Sequence, residues 1–328
     1  MTETAHTVRG YAGLVSVAVQ SLGFIPEESL VMVCLTDSAR LGPICRIDLP
    51  EHASDEASFA SAVGDLVSAA DQHADAVILM LFTRASARRA EFAERVADHF
   101  AGRIYPVSAL LWVSDSRIGD YRQPAAGTRT WNLVRDLPDA LLLTTNRRVL
   151  PDRRSVAATI KHTNAVSDRC FRDAAAAAAG LTPDRRIAHA RELFGRAVGA
   201  ARHGHRLPAD GVAELAVQLD HTEVVDDLIP TALIAAAADE NEQAATVNAL
   251  VMLAADTPQW VSGPALLLAV VAYVAGDGAL ANIAIDRVLR HAVPNGPAHR
   301  IAALLVASIG AGIHPGAVRA ALTEGKLP

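Results

Sequence analysis

Hydrophobic and polar positions follow more than one period along this chain, and the change of period divides it. Over residues 9–22, Leu14, Val17, Ala18 and Leu22 recur at helical spacing, and Gly23 followed by Pro26 supplies a stop, which predicts a first helix ending at Leu22. The run Ser29-Leu30-Val31-Met32-Val33-Cys34-Leu35 is short and continuously apolar, the pattern of a strand covered on both faces. Residues 43–49 read as its hairpin partner across Thr36 to Gly42, with Ile44, Arg46 and Asp48 on one face and Cys45, Ile47 and Leu49 on the other. A helix over 54–72, capped by Ser54 or Asp55, leads to a buried strand over 76–82. An amphipathic helix over 85–101 follows, with Phe92, Val96 and Phe100 on one stripe and Arg84, Arg88, Arg89 and Arg95 mostly off it. Residues 107–113 form a fourth strand, and Arg117 to Tyr121 read as an exposed edge beside it. Strands alternating with helices predict an α/β layer with right-handed crossovers, and the first hairpin makes the sheet mixed.

After about residue 152 the strand signals stop. Helical spacing takes over, with breaks at Pro183, Pro208, Pro230, Pro258, Pro294 and Pro315, some of these prolines falling in first turns. Helices fit near 153–161, 165–179, 183–202, 209–219, 222–238, 241–254, 263–275, 279–291, 297–311 and 315–323. The expected organisation is a mixed α/β domain with flanking helices over 1–152, then an all-α, helical-repeat-like (tetratricopeptide-like) domain over 153–328.

Composition adds limits. The 328 residues are 51% hydrophobic with a net charge of −6, which excludes a disordered chain. The longest apolar runs, 264–275 and 301–313, fall short of the ~20 residues a membrane span needs, so no membrane contact is expected. The first residues, Met1 to His6, lack the basic and apolar regions of a signal peptide, and a cytoplasmic protein is expected. Cys34, Cys45 and Cys170 fall in no metal-binding or CxxC spacing and read as small buried hydrophobes. Of 30 basic residues only Lys161 and Lys326 are lysine. Charge is uneven: residues 1–150 carry −4, 151–205 carry +5 and 206–328 carry −7.

Three blocks resemble an uncharacterised family common in actinobacteria, domain of unknown function 4192. Leu22-Gly23-Phe24-Ile25-Pro26-Glu27-Glu28-Ser29-Leu30-Val31, with Arg46-Ile47-Asp48-Leu49-Pro50, is similar to its N-terminal signature. Val149-Leu150-Pro151-Asp152-Arg153-Arg154-Ser155-Val156 is similar to its middle motif, and residues 276–289 to its C-terminal motif. The chain departs from the family's aromatic-rich Gly-Arg-Trp-Trp-type stretch, having Ser116-Arg117-Ile118-Gly119-Asp120-Tyr121 there. The resemblance implies fold boundaries and no established activity.

Each candidate constellation has a plainer reading beside it. Gly276-Asp277-Gly278-Ala279-Leu280-Ala281 matches the dinucleotide fingerprint G-x-G-x-x-A, yet the preceding Ala/Leu-rich run favours helix, and no acidic residue lies about twenty positions on. A helix-pair turn formed by Gly276, Asp277 and Gly278, with Ala281 at a close helix contact, fits better. Arg46 and Asp48, near Glu27 and Glu28, form either a polar site at one end of the sheet or a solvated strand face with a weak ion pair. Arg147, Arg148, Arg153 and Arg154 suit a phosphate or carboxylate, or a basic stripe lying on the chain's own acidic helices or on a partner. Aromatic residues make up only 4% of the chain, which leaves few stacking platforms for nucleic acid. His203-Gly204-His205, with His189 upstream, lacks a carboxylate or thiolate at fitted spacing and reads as a loop. Asp226-Asp227 and residues 239–242 read as a solvated face and a helix start. P-loop, H-E-x-x-H and G-x-S-x-G patterns are absent, so no cofactor, metal or catalytic residue is predicted. The expectation is a non-catalytic protein-interaction or regulatory module that binds a protein partner or itself. The alternative is a ligand-binding or enzymatic α/β domain using Arg46, Asp48 and the arginine cluster on an anionic, phosphate-bearing or nucleic-acid substrate.

Overall fold

A computed structural model describes residues 8–36, 40–50, 56–102, 106–132, 149–163, 165–311, 313 and 315–323. The chain divides into two compact units, Met1–Arg153 with Gly310–Gly312, and Arg154–Ile309 with Ile313–Pro328.

The first unit runs α1 (Gly10–Leu22), β1 (Ser29–Thr36), β2 (Arg40–Asp48), α2 (Glu56–His73), β3 (Ala76–Phe82), α3 (Ser86–Ala101), β4 (Val107–Ser114), β5 (Arg117–Asp120) and β6 (Arg129–Thr130). Its strands form a mixed six-stranded sheet in the order β2-β1-β3-β4-β5-β6, in which β3 and β4 are parallel and every other adjacent pair is antiparallel. Because β1 lies between β2 and β3, the β2–α2–β3 crossover spans an intervening strand, whereas β3–α3–β4 joins neighbours. Alternate residues of the central strands bury on opposite faces. Leu30, Met32, Leu79, Leu81 and Leu110 pack with Phe59, Val63 and Leu66 of α2 and Phe92, Val96 and Phe100 of α3. Val31, Val33, Ile78, Met80, Leu111 and Val113 pack with Val15, Ala18 and Val19 of α1. The result is a three-layer α/β/α unit. α1 ends at Gly23, whose φ of 75° is left-handed and whose N–H donates to Val19 O at 3.0 Å, the cap glycine adopts without a Cβ penalty.

Two local expectations change. β2 begins at Arg40 rather than Pro43, with Thr36 opposite Arg40, because a bulge sets Gly42 and Pro43 against the single residue Cys34. The cap positions Ser54 and Asp55 lie outside the described residues. β5 is not an exposed edge: β6 covers it, Ile118, Gly119 and Asp120 are buried, and Gly119 faces Trp112 across the β4–β5 pair.

The second unit is mostly helical: α4 (Arg153–Thr159), which opens at the last residue of the first unit, then α5 (Asp168–Ala178), α6 (Pro183–Arg202), α7 (Ala209–Gln218), α8 (Thr222–Ala238), α9 (Glu240–Asp256), α10 (Gly263–Val274), α11 (Gly278–His291), α12 (Pro297–Gly310) and α13 (Pro315–Thr323). α10 is buried along its whole length, as its apolar sequence dictates, and packs on α7, α8, α9, α11 and α13. Pro230, read as a break, sits inside α8 and does not end it, in keeping with the helix expected over 222–238. Buried Val224, Val225, Leu228 and Ile229 before it and Ala232 and Leu233 after it hold the helix, outweighing a local cost of about 3 kcal/mol for an interior proline. Among the described residues no helix is long and apolar enough to cross a membrane.

Candidate functional site

Arg46 and Asp48 stand on β2 opposite Val31 and Ser29 of β1, so the pleat places Arg46, Asp48 and Ser29 on one face. Ser29, fully buried, accepts from the Arg46 guanidinium through Oγ at 2.7 and 3.0 Å and donates to Glu27 O at 2.7 Å. Arg46 also pairs with Asp48 and lies 5.6 Å from the centre of the Phe24 ring. Its side chain is mostly buried, whereas that of Asp48 is exposed. The guanidinium therefore has a hydroxyl, a carboxylate and an aromatic face within its own unit.

Glu28 builds the neighbouring cluster. It occupies left-handed backbone, φ 37°, a conformation uncommon outside glycine and costing of order 1 kcal/mol or more. Its main chain and side chain both have partners. Glu28 O accepts from Leu49 N at 2.8 Å, Oε1 from Thr83 Oγ1 at 2.6 Å, and Oε2 from Arg89 at 3.2 Å. Arg89, on α3, also donates to Pro50 O at 3.0 Å. Thr83, just past β3, donates its N–H to Val113 O at 2.9 Å and accepts from Ala85 N at 3.1 Å, so the end of β3, the end of β4 and the start of α3 are tied together. Tyr121 donates to Ser86 O at 2.9 Å, and burial pushes its hydroxyl up to about 12 against the smaller lowering effect of Arg89. Arg84 and Asp115, both exposed, pair at 3.4 Å beyond β3 and β4. This edge of the sheet, at the carboxyl ends of β2, β3 and β4, resembles in position the ligand crevices of open α/β sheets. Its charges are nevertheless matched to one another, and the arrangement acts as a latch on the Glu27–Glu28 turn.

The other arginines do not gather at that edge. Arg147 and Arg148 lie outside the described residues. Arg153 and Arg154 are consecutive at the start of α4, so a helix points them about 100° apart, Arg153 half-buried and Arg154 exposed. Most of the basic helix α6 is answered by acids of its own unit. Arg186 pairs with Glu223 at 2.8 Å and Arg191 with Asp227, one turn further along α8. Arg202 reaches Glu242 of α9 at 2.7 Å, and Arg206, just beyond α6, pairs with the buried Asp256. His189 bonds Glu214 of α7 at 2.9 Å. Asp226-Asp227 is thus partly an ion-pair surface, and Asp239 caps α9 by accepting from Glu242 N at 2.9 Å.

Gly276, Asp277 and Gly278 join α10 to α11. Gly276 has φ 80°, and the Asp277 carboxylate accepts from Leu280 N at 3.0 Å, capping α11. Ala281 is fully buried. Sequence reasoning missed Arg287 in the same motif. It is 5% exposed and donates to four carbonyls: Ala254 O at 2.6 Å, Thr257 O at 3.0 Å, and Ile160 O and Pro258 O at 3.1 Å. Burial pushes its pKa down to about 10, so it stays charged at neutral pH and meets the carbonyl-rich C-terminal end of α9. Its signal was an arginine embedded among Ile283, Ala284, Ile285 and Val288. Thr83 and Arg89 were also missed as a pair, since nothing in their spacing links them to Glu28.

The chain belongs to the family described as Domain of unknown function (DUF4192), whose model matches residues 20–316. No curated protein and no solved structure matches it.

Proposed function

We propose that this member of the family is a non-catalytic interaction module whose helical second unit contacts a protein partner through an apolar surface. The observation that carries this reading is the placement of exposed large apolar side chains. Among the described residues, Ile234, Trp260, Val293, Leu304, Val306 and Ile313 are exposed in the helical stretch, against Ile25 in the α/β unit. On α12, Ala302 and Leu305 are buried while Ala303, Leu304, Val306 and Ala307 face solvent, Leu304 and Ala307 on the far side of the helix and Val306 beside the buried stripe. The ion pairs of α6 and of Arg206 just beyond it support the same reading, because arginines satisfied by Glu223, Asp227, Glu242 and Asp256 are less available to an external phosphate. We read the α10–α11 pair, with its short Gly276–Gly278 turn, as one unit of a tetratricopeptide-like stack, a geometry that offers elongated binding surfaces. Three free thiols fit a reducing, cytoplasmic setting.

The test compares the full chain with L304E/V306E by sedimentation velocity and by nuclease-treated co-purification from native lysate. The wild type is expected to hold a stoichiometric protein, or a second copy of itself, that the variant releases while melting at the same temperature. A partner retained by the variant, or a wild type that carries only nucleic acid or a small anion, overturns the proposal.

A further inference from the structure

The α/β unit contains a cleft of about 210 Å³ between the start of α1, β5 and the turn leading to β6. It is smaller than the roughly 300–1,000 Å³ of pockets that take drug-sized ligands, which suits a free amino acid better than a nucleotide. Its floor is Gly119 and Asp120. A Cβ at Gly119 would lie 2.4 Å from the Trp112 indole, so only glycine lets the two strands meet this closely, on the face of the sheet opposite Asp120. Across the cleft, Gly127 has φ 72° and nothing within 4 Å of where a Cβ would stand.

Two opposite charges face this space without meeting. Asp120 is 8% exposed; its oxygens accept from Tyr11 Oη at 3.2 Å and from Arg122 N at 2.9 Å, and no cation pairs with it among the described residues. The Arg122 guanidinium is turned elsewhere, donating to Val107 O at 3.1 Å. A carboxylate this buried is ordinarily paired, since burying charge without a counter-charge is costly. Arg129 lies on the exposed rim, its guanidinium carbon 5.8 Å from the centre of the Tyr11 ring, and it too has no carboxylate partner among the described residues. An unpaired acid in the floor and an unpaired base on the rim, separated by an aromatic ring, complement a ligand that carries both charges apart.

We propose that this cleft binds a small amino-acid zwitterion, its ammonium on Asp120 and Tyr11 and its carboxylate on Arg129. The site lies in the α/β unit and does not depend on the apolar face of α12. Saturation-transfer NMR on the full chain tests it, with L-alanine and L-leucine as probes and N-acetyl-L-leucine and L-leucinamide as forms lacking one charge. At least one free amino acid is expected to bind, with both blocked forms at least tenfold weaker. D120N is expected to weaken binding at least tenfold. A126F, which fills the cleft from an exposed rim position, is expected to do the same without lowering the melting temperature. Blocked forms that bind as well as the free amino acid, binding that survives A126F, or the failure of both amino acids to bind would each overturn the assignment.

Discussion

A guanidinium set among Ile283, Ala284 and Val288 has to find acceptors inside the protein, and Arg287 finds four main-chain carbonyls from the ends of two helices and the loop after α9. No carboxylate is among these acceptors; the partial negative charge of the α9 terminus takes that role. R287M keeps much of the volume but strands these carbonyls, and is expected to lower stability by about 3 kcal/mol in denaturant unfolding of the full chain. R287K retains the charge on a compact ammonium that cannot fork to all four, so it is expected to recover less than half of that loss. A wild-type midpoint for R287M would show that the carbonyls find other donors. This residue was visible in the sequence as a charge out of place in an apolar stripe, but its acceptors were not. They come from residues 160 and 254–258, and no local pattern predicts which loop carbonyls tertiary packing will turn inward.

Elements were legible where one period dominates. The run over 264–275 announces a buried helix, and α10 is buried throughout. What that run did not announce is how closely α10 approaches its neighbour. A Cβ on Gly263 would stand 2.4 Å from Leu219 O, a backbone atom that cannot swing aside. G263A is therefore expected to cost about 2 kcal/mol or more, although alanine is the better helix former, and a thermal melt above wild type would refute the close approach. β5 diverged from its reading as an edge, and Pro230 from its reading as a break though not from the helix expected over 222–238, for the same kind of reason. Propensity treats proline as a stop and a four-residue strand as an edge, and both readings yield once neighbours supply packing or pairing from distant sequence. The strand-end latch was half legible: Arg46 and Asp48 share a face by alternation, whereas Thr83 and Arg89 reach Glu28 only through the order of the sheet.

For the molecule as a whole, burial in the α/β unit sets a response to alkaline pH. Burial pushes the thiols of Cys34 and Cys45 up to about 12 and 11 from 9.0, and the hydroxyl of Tyr121 up to about 12 from 10.0. Above about pH 9 the unfolded chain loses these protons while the folded chain keeps them, so stability is expected to fall as pH rises from about 9 towards 11. Guanidinium unfolding midpoints across pH 8 to 11 measure this, and C34A/C45A should flatten the early part of the decline; an unchanged slope would mean the thiols are accessible when folded. The bulge at Gly42 and Pro43 reaches furthest at this scale. A partner that adds a strand needs a regular row of free N–H and C=O groups, and the outer side of β2 interrupts that row with a kink and a residue that has no N–H. At the other end of the sheet, among the described residues, β6 offers only two residues. Among the described residues the sheet is thus a poor template for strand exchange or fibril growth.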